Sequence, residues 1–595
     1  MSNSSFLKNS MEREKSKGVS PTGGFFTREI SGSVTQRFKR IRSKKFFKFT
    51  SAVYNLISHI STRTYGTALI CFGLASTLMY FLKLSYDNSP ATPIIGILIS
   101  CLSIPFLVAD KPLPIYMQDF KPTDYLFFEF FCMKRHSPSE NGRSLPVFIP
   151  VIVGLTPAML SSIAPLWQIT LIMGVSICVY IGLQSPEFVF LTTLVCLPFI
   201  RFLPHSELVF ALAILLAVVS FIRKVVYGRR VFFIEKYDII IGVMLLFILI
   251  SGIFIKGDES FFGSIKMIIF SLGYILAGNI ITNRRLAELS VNSVILSGVL
   301  AALVSIGQFI VTISRVGRNF TVDDLSVILA RADGVTVILL AALVFSFGMI
   351  KHTSTNSGGL MPVCSVLCFI ALILSGEFFA ISSIILGAGA YAVIKSNRAP
   401  MVILPVLLAV SVALLLLPAG MLNLIFTYSP SVVSADVLFD LWSKSASLLA
   451  DHLAFGIGIG SESFASEMAS MGIFGHPDSS NLFIELGLEA GILAPLCLLF
   501  LIITRVRHRS TMYLYVRNSQ FERIANLSGA CLFAMLAFGM VNYIWSDMSA
   551  YYLFWCVFGI GSASLRVAKR DYDDRILYYE ESSAFDSSVI DIEIG

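Results

Sequence analysis

The chain has 595 residues, of which 55% are hydrophobic and 14% charged, with a mean hydropathy of +0.78. So apolar a composition excludes a string of soluble domains, a single-span receptor and a disordered scaffold, and roughly sixteen spans of ~20 residues would use a little over half of the length. The net charge of +7 is dispersed as basic clusters between apolar runs instead of gathered on one face, which argues against a nucleic-acid-binding protein.

Taken in chain order, residues 1–62 are polar and close on Arg37, Lys39, Arg40, Arg42, Lys44, Lys45 and Lys48, interleaved with Phe38, Phe46 and Phe47. This is the pattern of a basic cytoplasmic tail lying on anionic membrane lipids. No short apolar core with a small-residue cleavage site follows it, so no cleavable signal peptide is expected. Apolar runs are then centred near residues 75, 100, 155, 175, 195, 214, 246, 271, 300, 341, 368, 386, 409, 493, 534 and 558. The expectation is an all-α polytopic membrane protein with about 16 transmembrane helices.

Charge sets the predicted orientation. Basic residues follow the sixth run (Arg223, Lys224, Arg229, Arg230), the eighth (Arg284, Arg285), the tenth (Lys351) and the twelfth (Lys395, Arg398). They also follow the fourteenth (Arg505, Arg507, Arg509, Arg517) and the sixteenth (Arg566, Lys569, Arg570). With a cytoplasmic amino terminus all of these fall inside, as the positive-inside rule requires. That count holds only if the run 147–163, with Pro150 and Pro157, is a true span. The ten cysteines are scattered in or beside apolar runs, without the spacing of a disulfide framework or a zinc site.

Two long segments are expected outside. One, about 312–332, carries Arg315, Arg318, Asp323, Asp324 and Arg331. The other, 418–481, holds Asp436, Asp440, Asp451, Glu462, Glu467 and Asp478 against the single lysine Lys444. A loop of that length in a compact membrane protein points to function. Val437, Leu438, Leu441, Trp442, Ala446 and Leu449 recur at helical spacing and predict a helix over Ala435–Ala450. The predicted parts are thus a tail (1–62), helices over 63–185, a core bundle over 186–417, the outer loop (418–481), closing membrane helices (482–567) and a second cytoplasmic tail (568–595), expected to be mobile.

Ionisable residues near hydrocarbon carry the functional candidates. Arg201, in Pro198-Phe199-Ile200-Arg201-Phe202, faces outward against the positive-inside trend, and Arg331 opens the tenth span from outside. Either is a snorkelling anchor or a ligand for an anion; a guanidinium suits diphosphate because its planar fork gives two parallel hydrogen bonds. The loop ends in Gly456-Ile457-Gly458-Ile459-Gly460-Ser461-Glu462-Ser463-Phe464 and then Gly475-His476-Pro477-Asp478-Ser479-Ser480-Asn481. The glycines read as a tight turn ahead of a phosphate cradle, because no nucleotide-binding strand and helix surround them. Asn481, Glu485 and Glu489 recur every four residues, so they share one helix face, and two carboxylates on one stripe at a membrane surface imply a polar cavity or a hydrogen-bonded structural cluster.

The order of a loop helix with a Trp, a Gly-x-Gly turn ending in Phe, and a Ser-x-Asn-Leu segment leading to Glu-x-Gly at the head of a membrane helix resembles the O-antigen ligase and polymerase superfamily of bacterial membrane glycosyltransferases. The motif match covers about 436–494; the architectural match covers about 186–566, a twelve-helix bundle to which four amino-terminal helices are added. The resemblance implies metal-independent and cofactor-free transfer of a glycan from a polyprenyl-diphosphate carrier to a lipid or saccharide acceptor, outside the cytoplasmic membrane. For that chemistry the catalytic candidates are Glu489 or His476 as base, with Ser480 and Asn481 orienting the acceptor, and the substrate-binding candidates are Arg201, Arg331, Arg318, Glu377 and Glu485. Two positions depart from the family pattern: Ser480 stands where a histidine is usual, and Ser375-Gly376-Glu377 stands where Ser-Arg-Gly is usual. The rival expectations are a transporter or flippase for a lipid-linked glycan, and a catalytically inactive member serving as an assembly scaffold.

Overall fold

The computed structural model describes residues 60–83, 91–130, 142–162, scattered positions between 169 and 183, 185–201, 206–226, 230–255, 258–316, 333–350, 360–375, 378–395, 435–471, 478–512, 515 and 521–593. Among these the secondary structure is helical, apart from two isolated β-bridges. The chain divides into two compact units, Met1–Phe188 with Val219–Phe233, and Val189–Val218 with Ile234–Gly595.

In the first unit, α1 (Thr62–Phe81) packs against α2 (Ala91–Leu107) and α4 (Phe148–Leu160), with the short α3 (Leu113–Asp119) in the connection between α2 and α4. Small residues let the backbones approach, as in membrane helix pairs: a Cβ at Gly73 would meet Ser100 Oγ at 2.3 Å and Gly96 O at 2.5 Å. The same unit joins the start of α5 (Pro186–Val195) to the end of α6 (Ser206–Val226) by a buried ion triad. Glu187 takes Lys224 Nζ at 2.7 Å and Arg230 Nη2 at 2.5 Å. An acid in a first helical turn facing a cation in a last one also suits both helix dipoles.

The second unit contains α7 (Lys236–Phe254), α8 (Asp258–Ile280), α9 (Arg284–Val316), α10 (Asp333–Met349), α11 (Leu360–Ser375) and α12 (Phe378–Lys395). It continues with α13 (Ala435–Asp451), α14 (Ser461–Ser470), α15 (Leu482–Ala490), α16 (Leu493–Thr511), α17 (Glu522–Gly539) and α18 (Met548–Glu593). The first twenty residues of α18 are almost entirely buried, because it is apolar all round and its neighbours α8, α10 and α17 enclose it. Trp545, Tyr551, Phe554 and Trp555 pack edge-on around its start.

Six described helices, α1, α6, α7, α8, α9 and α18, are long and apolar enough to cross a membrane. Their outer faces carry exposed Leu208, Val209 and Leu212 on α6 and Leu246 and Ile253 on α7, the surface expected of helices solvated by lipid. Helices lie at the expected apolar runs except those near 175 and 409, which fall largely or wholly outside the described residues. The helix expected over Ala435–Ala450 is α13.

One expectation is revised. The fourteenth run is not one helix: Gly491, at φ 82°, ends α15 and α16 begins at Leu493. A Cβ at Gly491 would sit 2.3 Å from Ala454 O, so the close approach of the loop backbone and the left-handed φ together require glycine. Helix α18 runs on through the acidic end to Glu593; its backbone continues the i to i−4 ladder already nucleated in the core.

Candidate functional site

The site is built on α15. Asn481 is its N-cap: Oδ1 accepts from Phe483 N at 3.0 Å and Ile484 N at 3.2 Å, satisfying two amides that a helix start leaves open. Asn481 Nδ2 donates to Met540 O at 2.9 Å, tying α15 to the end of α17. Ahead of it, Ser480 adopts φ 50°, a left-handed conformation uncommon for a residue with a Cβ. Asp478 holds that turn, Oδ1 accepting from Ser480 N at 2.8 Å and from Ser480 Oγ at 3.5 Å.

Glu485 and Glu489 follow on the same face, 3% and 6% exposed. Glu485 Oε2 accepts from Ser479 N at 2.8 Å. Tyr543 Oη donates to Glu489 Oε2 at 2.5 Å, and Ser251 Oγ on α7 donates to the Glu489 carbonyl at 2.5 Å. Neither carboxylate has a cationic partner among the described residues. The nine residues of α15 rise only ~13 Å against a hydrocarbon layer of ~30 Å, so this helix is not a membrane span. Burial raises the Glu485 carboxyl well above the ordinary range, with the neighbouring Glu489 and Asp478 adding to the effect. Burial also raises Glu489, and the hydrogen bond from Tyr543 opposes it.

The segment 435–471 supplies the wall behind this helix. Leu441 and Leu448 of α13, Ile457, and Phe464 and Met468 of α14 form one apolar cluster with Leu488 of α15. The glycine-rich turn is structural here: Ile457 N donates to Leu488 O at 2.6 Å, Ile459 N donates to Ser260 Oγ at 3.0 Å, and a Cβ at Gly456, whose φ is 72°, would meet Leu488 O at 2.1 Å. Its amides at these two positions are therefore committed to α15 and α8 and not to a phosphate.

Other elements reach the same end of the second unit. Thr193 Oγ1 and Tyr552 Oη are 2.9 Å apart. The tight turn Leu197–Arg201, which ends in Arg201, packs against α9, α10 and α18. The helix that follows Arg331 begins at Asp333, and a Cβ at Gly334 would meet Asp547 Cγ at 2.3 Å and Ser549 Oγ at 2.4 Å. Gly334 thereby adjoins the break between α17 and α18 that carries Tyr543.

The structure therefore brings together Ser480, Asn481, Glu485 and Glu489. The side chain of Arg201 lies outside the described residues, as do Arg318, Arg331, Glu377 and His476. Sequence reasoning missed Tyr543, Ser251 and the holding role of Asp478. The signal for Tyr543 was the polar interruption Asn542-Tyr543 and Ser546-Asp547 between two apolar runs. Among the described residues no group of three His, Cys, Asp or Glu side chains is placed to hold a metal ion. Searches of protein-family models and of curated proteins find no match to the sequence.

Proposed function

We propose that the chain is a membrane glycosyltransferase of the O-antigen ligase or polymerase type. It moves a glycan from a polyprenyl-diphosphate carrier to a lipid or saccharide acceptor at the outer face of a bacterial cytoplasmic membrane, without metal or cofactor. The observation that carries this reading is the Glu489 carboxylate, buried, raised by burial and held by Tyr543. A base with a pKa moved toward neutrality is suited to take a proton and later release it.

In the proposed step the acceptor hydroxyl oxygen bonds to the anomeric carbon as its proton passes to Glu489. The bond from that carbon to the diphosphate oxygen breaks, and the electron pair leaves on the diphosphate. Arg201 and Arg331 would offset the charge there; Arg318, Glu377 and Glu485 are assigned to the substrate, and His476 is the alternative base. Asn481 acts through the helix it caps, since its side chain is engaged by backbone groups. The approach of the start of α10, just after Arg331, to Asp547 and Ser549 beyond the Tyr543 break supports a site that includes an anion ligand near the base.

The test is single-turnover transfer by purified protein from a synthetic undecaprenyl-diphosphate glycan to an acceptor. Glu489→Gln is expected to lower the rate by ~10²–10⁴-fold, the usual contribution of a general base. Unchanged transfer in Glu489→Gln and in His476→Ala would remove the assigned base. Movement of labelled lipid-linked glycan across liposomes with no bond transfer would replace the transferase by a flippase.

A further inference from the structure

Each residue turns an α-helix by ~100°, and by that measure α13 (Ala435–Asp451) has three sides. Leu438, Leu441, Ser445 and Leu448 form the side turned to the protein, all of them buried, and Leu441 and Leu448 join the cluster that contains Leu488 of α15. About a third of a turn away, Asp440, Lys444, Ser447 and Asp451 form a polar side, where Lys444 Nζ lies 3.1 Å from Asp440 Oδ2. The remaining side carries Phe439, Trp442, Ala446 and Ala450, and Leu453 in the turn beyond continues the line. It bears no charge.

A helix laid on a protein in water needs two sides, one for the core and one for solvent. The third side of α13 is apolar and uncovered: Phe439 is 56% exposed and packs edge-on against Trp442, while Leu453 and Phe455 are 48% and 42% exposed. What it adjoins identifies its partner. Phe455 stacks on Phe254 with 5.3 Å between ring centres, and Phe254 is the last residue of α7, a helix long and apolar enough to cross a membrane. Leu453 O accepts from Ile492 N at 3.0 Å, which sets the same turn against the start of α16. Ile253 at the end of α7, and Leu493, Leu496 and Phe500 along α16, are themselves exposed apolar side chains. The uncovered side of α13 thus continues, through Leu453 and Phe455, into surfaces that lipid solvates, at the level where a span ends and aromatic side chains favour the interface.

We propose that the side of α13 formed by Phe439, Trp442, Ala446 and Ala450, with Leu453 and Phe455, is seated in the interfacial lipid of the leaflet that borders the end of α7 and the start of α16. The helix lies in the boundary between headgroups and acyl chains, its polar side toward water and its Leu441 and Leu448 side on α15. The inference is independent of the transferase reading.

The test uses full-length protein without native cysteines in liposomes of phosphatidylcholine and phosphatidylglycerol. A nitroxide is attached singly to Phe439→Cys, Ala446→Cys, Ser447→Cys or Asp451→Cys, all at exposed positions. Power saturation then compares collisions with oxygen, which concentrates in the apolar layer, and with a water-soluble nickel chelate. At 439 and 446 the nickel collision rate is expected to be several-fold lower than at 447 and 451, and the oxygen rate higher. Ala446→Cys removes no anchoring side chain, so it keeps the test usable should Phe439→Cys misfold. Nickel access at 446 equal to that at 447 would place the whole helix in water and overturn the proposal. Low rates with both reagents at 446 would mean that protein covers this side, a second copy where fully labelled samples show spin–spin broadening, and would overturn it as well.

Discussion

Tyr543 is the only hydrogen-bond partner of the Glu489 carboxylate among the described residues, and it tunes that group. Its hydroxyl stabilises the charged form, so it opposes the upward shift that burial imposes. Removing it with Tyr543→Phe is expected to move the ascending limb of the pH profile for kcat further above the usual carboxylate range and to lower the rate near neutrality several-fold. A purely structural tyrosine would change the amount of folded protein and leave the profile of the proposed transfer in place. Stability carries a related signature. Both carboxyls are raised in the folded chain, so the protonated forms favour folding; that contribution is full below the ordinary value of 4.5 and is lost as pH rises through the raised values. Melting temperature in detergent is therefore expected to fall between about pH 5 and pH 9, and the double variant Glu485→Gln, Glu489→Gln should flatten that fall.

Among the elements, α15 decides the geometry of the site. As the outer end of one long span, its two carboxylates would have been drawn along that span's axis. The break at Gly491 makes α15 a separate helix, fixed by the Asn481 cap, by Ser251 on α7 and by the loop cluster around Leu488. Gly491→Ala must adopt φ 82° and displace the Ala454 carbonyl, which is expected to cost about 1–3 kcal/mol. Gly389 in α12 has no neighbour within 4 Å of a built Cβ, so Gly389→Ala should be neutral or gain up to about 1 kcal/mol through helix propensity. Thermal melts of the two variants beside the wild type check both values, and equal behaviour would remove the special role of the break.

Across the molecule, the orientation read from the basic clusters makes a definite prediction. In a background without native cysteines, Ser470→Cys on α14 is expected to react with a membrane-impermeant maleimide in intact cells, whereas Arg570→Cys on α18 should react only after permeabilisation; both positions are exposed. The reverse pattern would turn the proposed site to the cytoplasm. Much of the helix order was legible because an apolar run long enough for a span announces itself locally, as at α6, α7 and α8. The face shared by Asn481, Glu485 and Glu489 was legible too, since helical periodicity needs only the local chain.

What the sequence determined by itself was the class of molecule, the position of most helices and the local stripe of polar residues, all set by solvation and by hydrogen bonds between near neighbours. Tertiary structure alone decided that a glycine splits the fourteenth apolar run, because hydropathy averages over a residue whose backbone another segment crowds. It also decided that Tyr543 meets Glu489 across 54 positions and that Arg566 meets Glu235 across 331. Such pairings arise when buried polar groups must find partners on whichever helices packing brings near, and no local pattern in the chain encodes that choice.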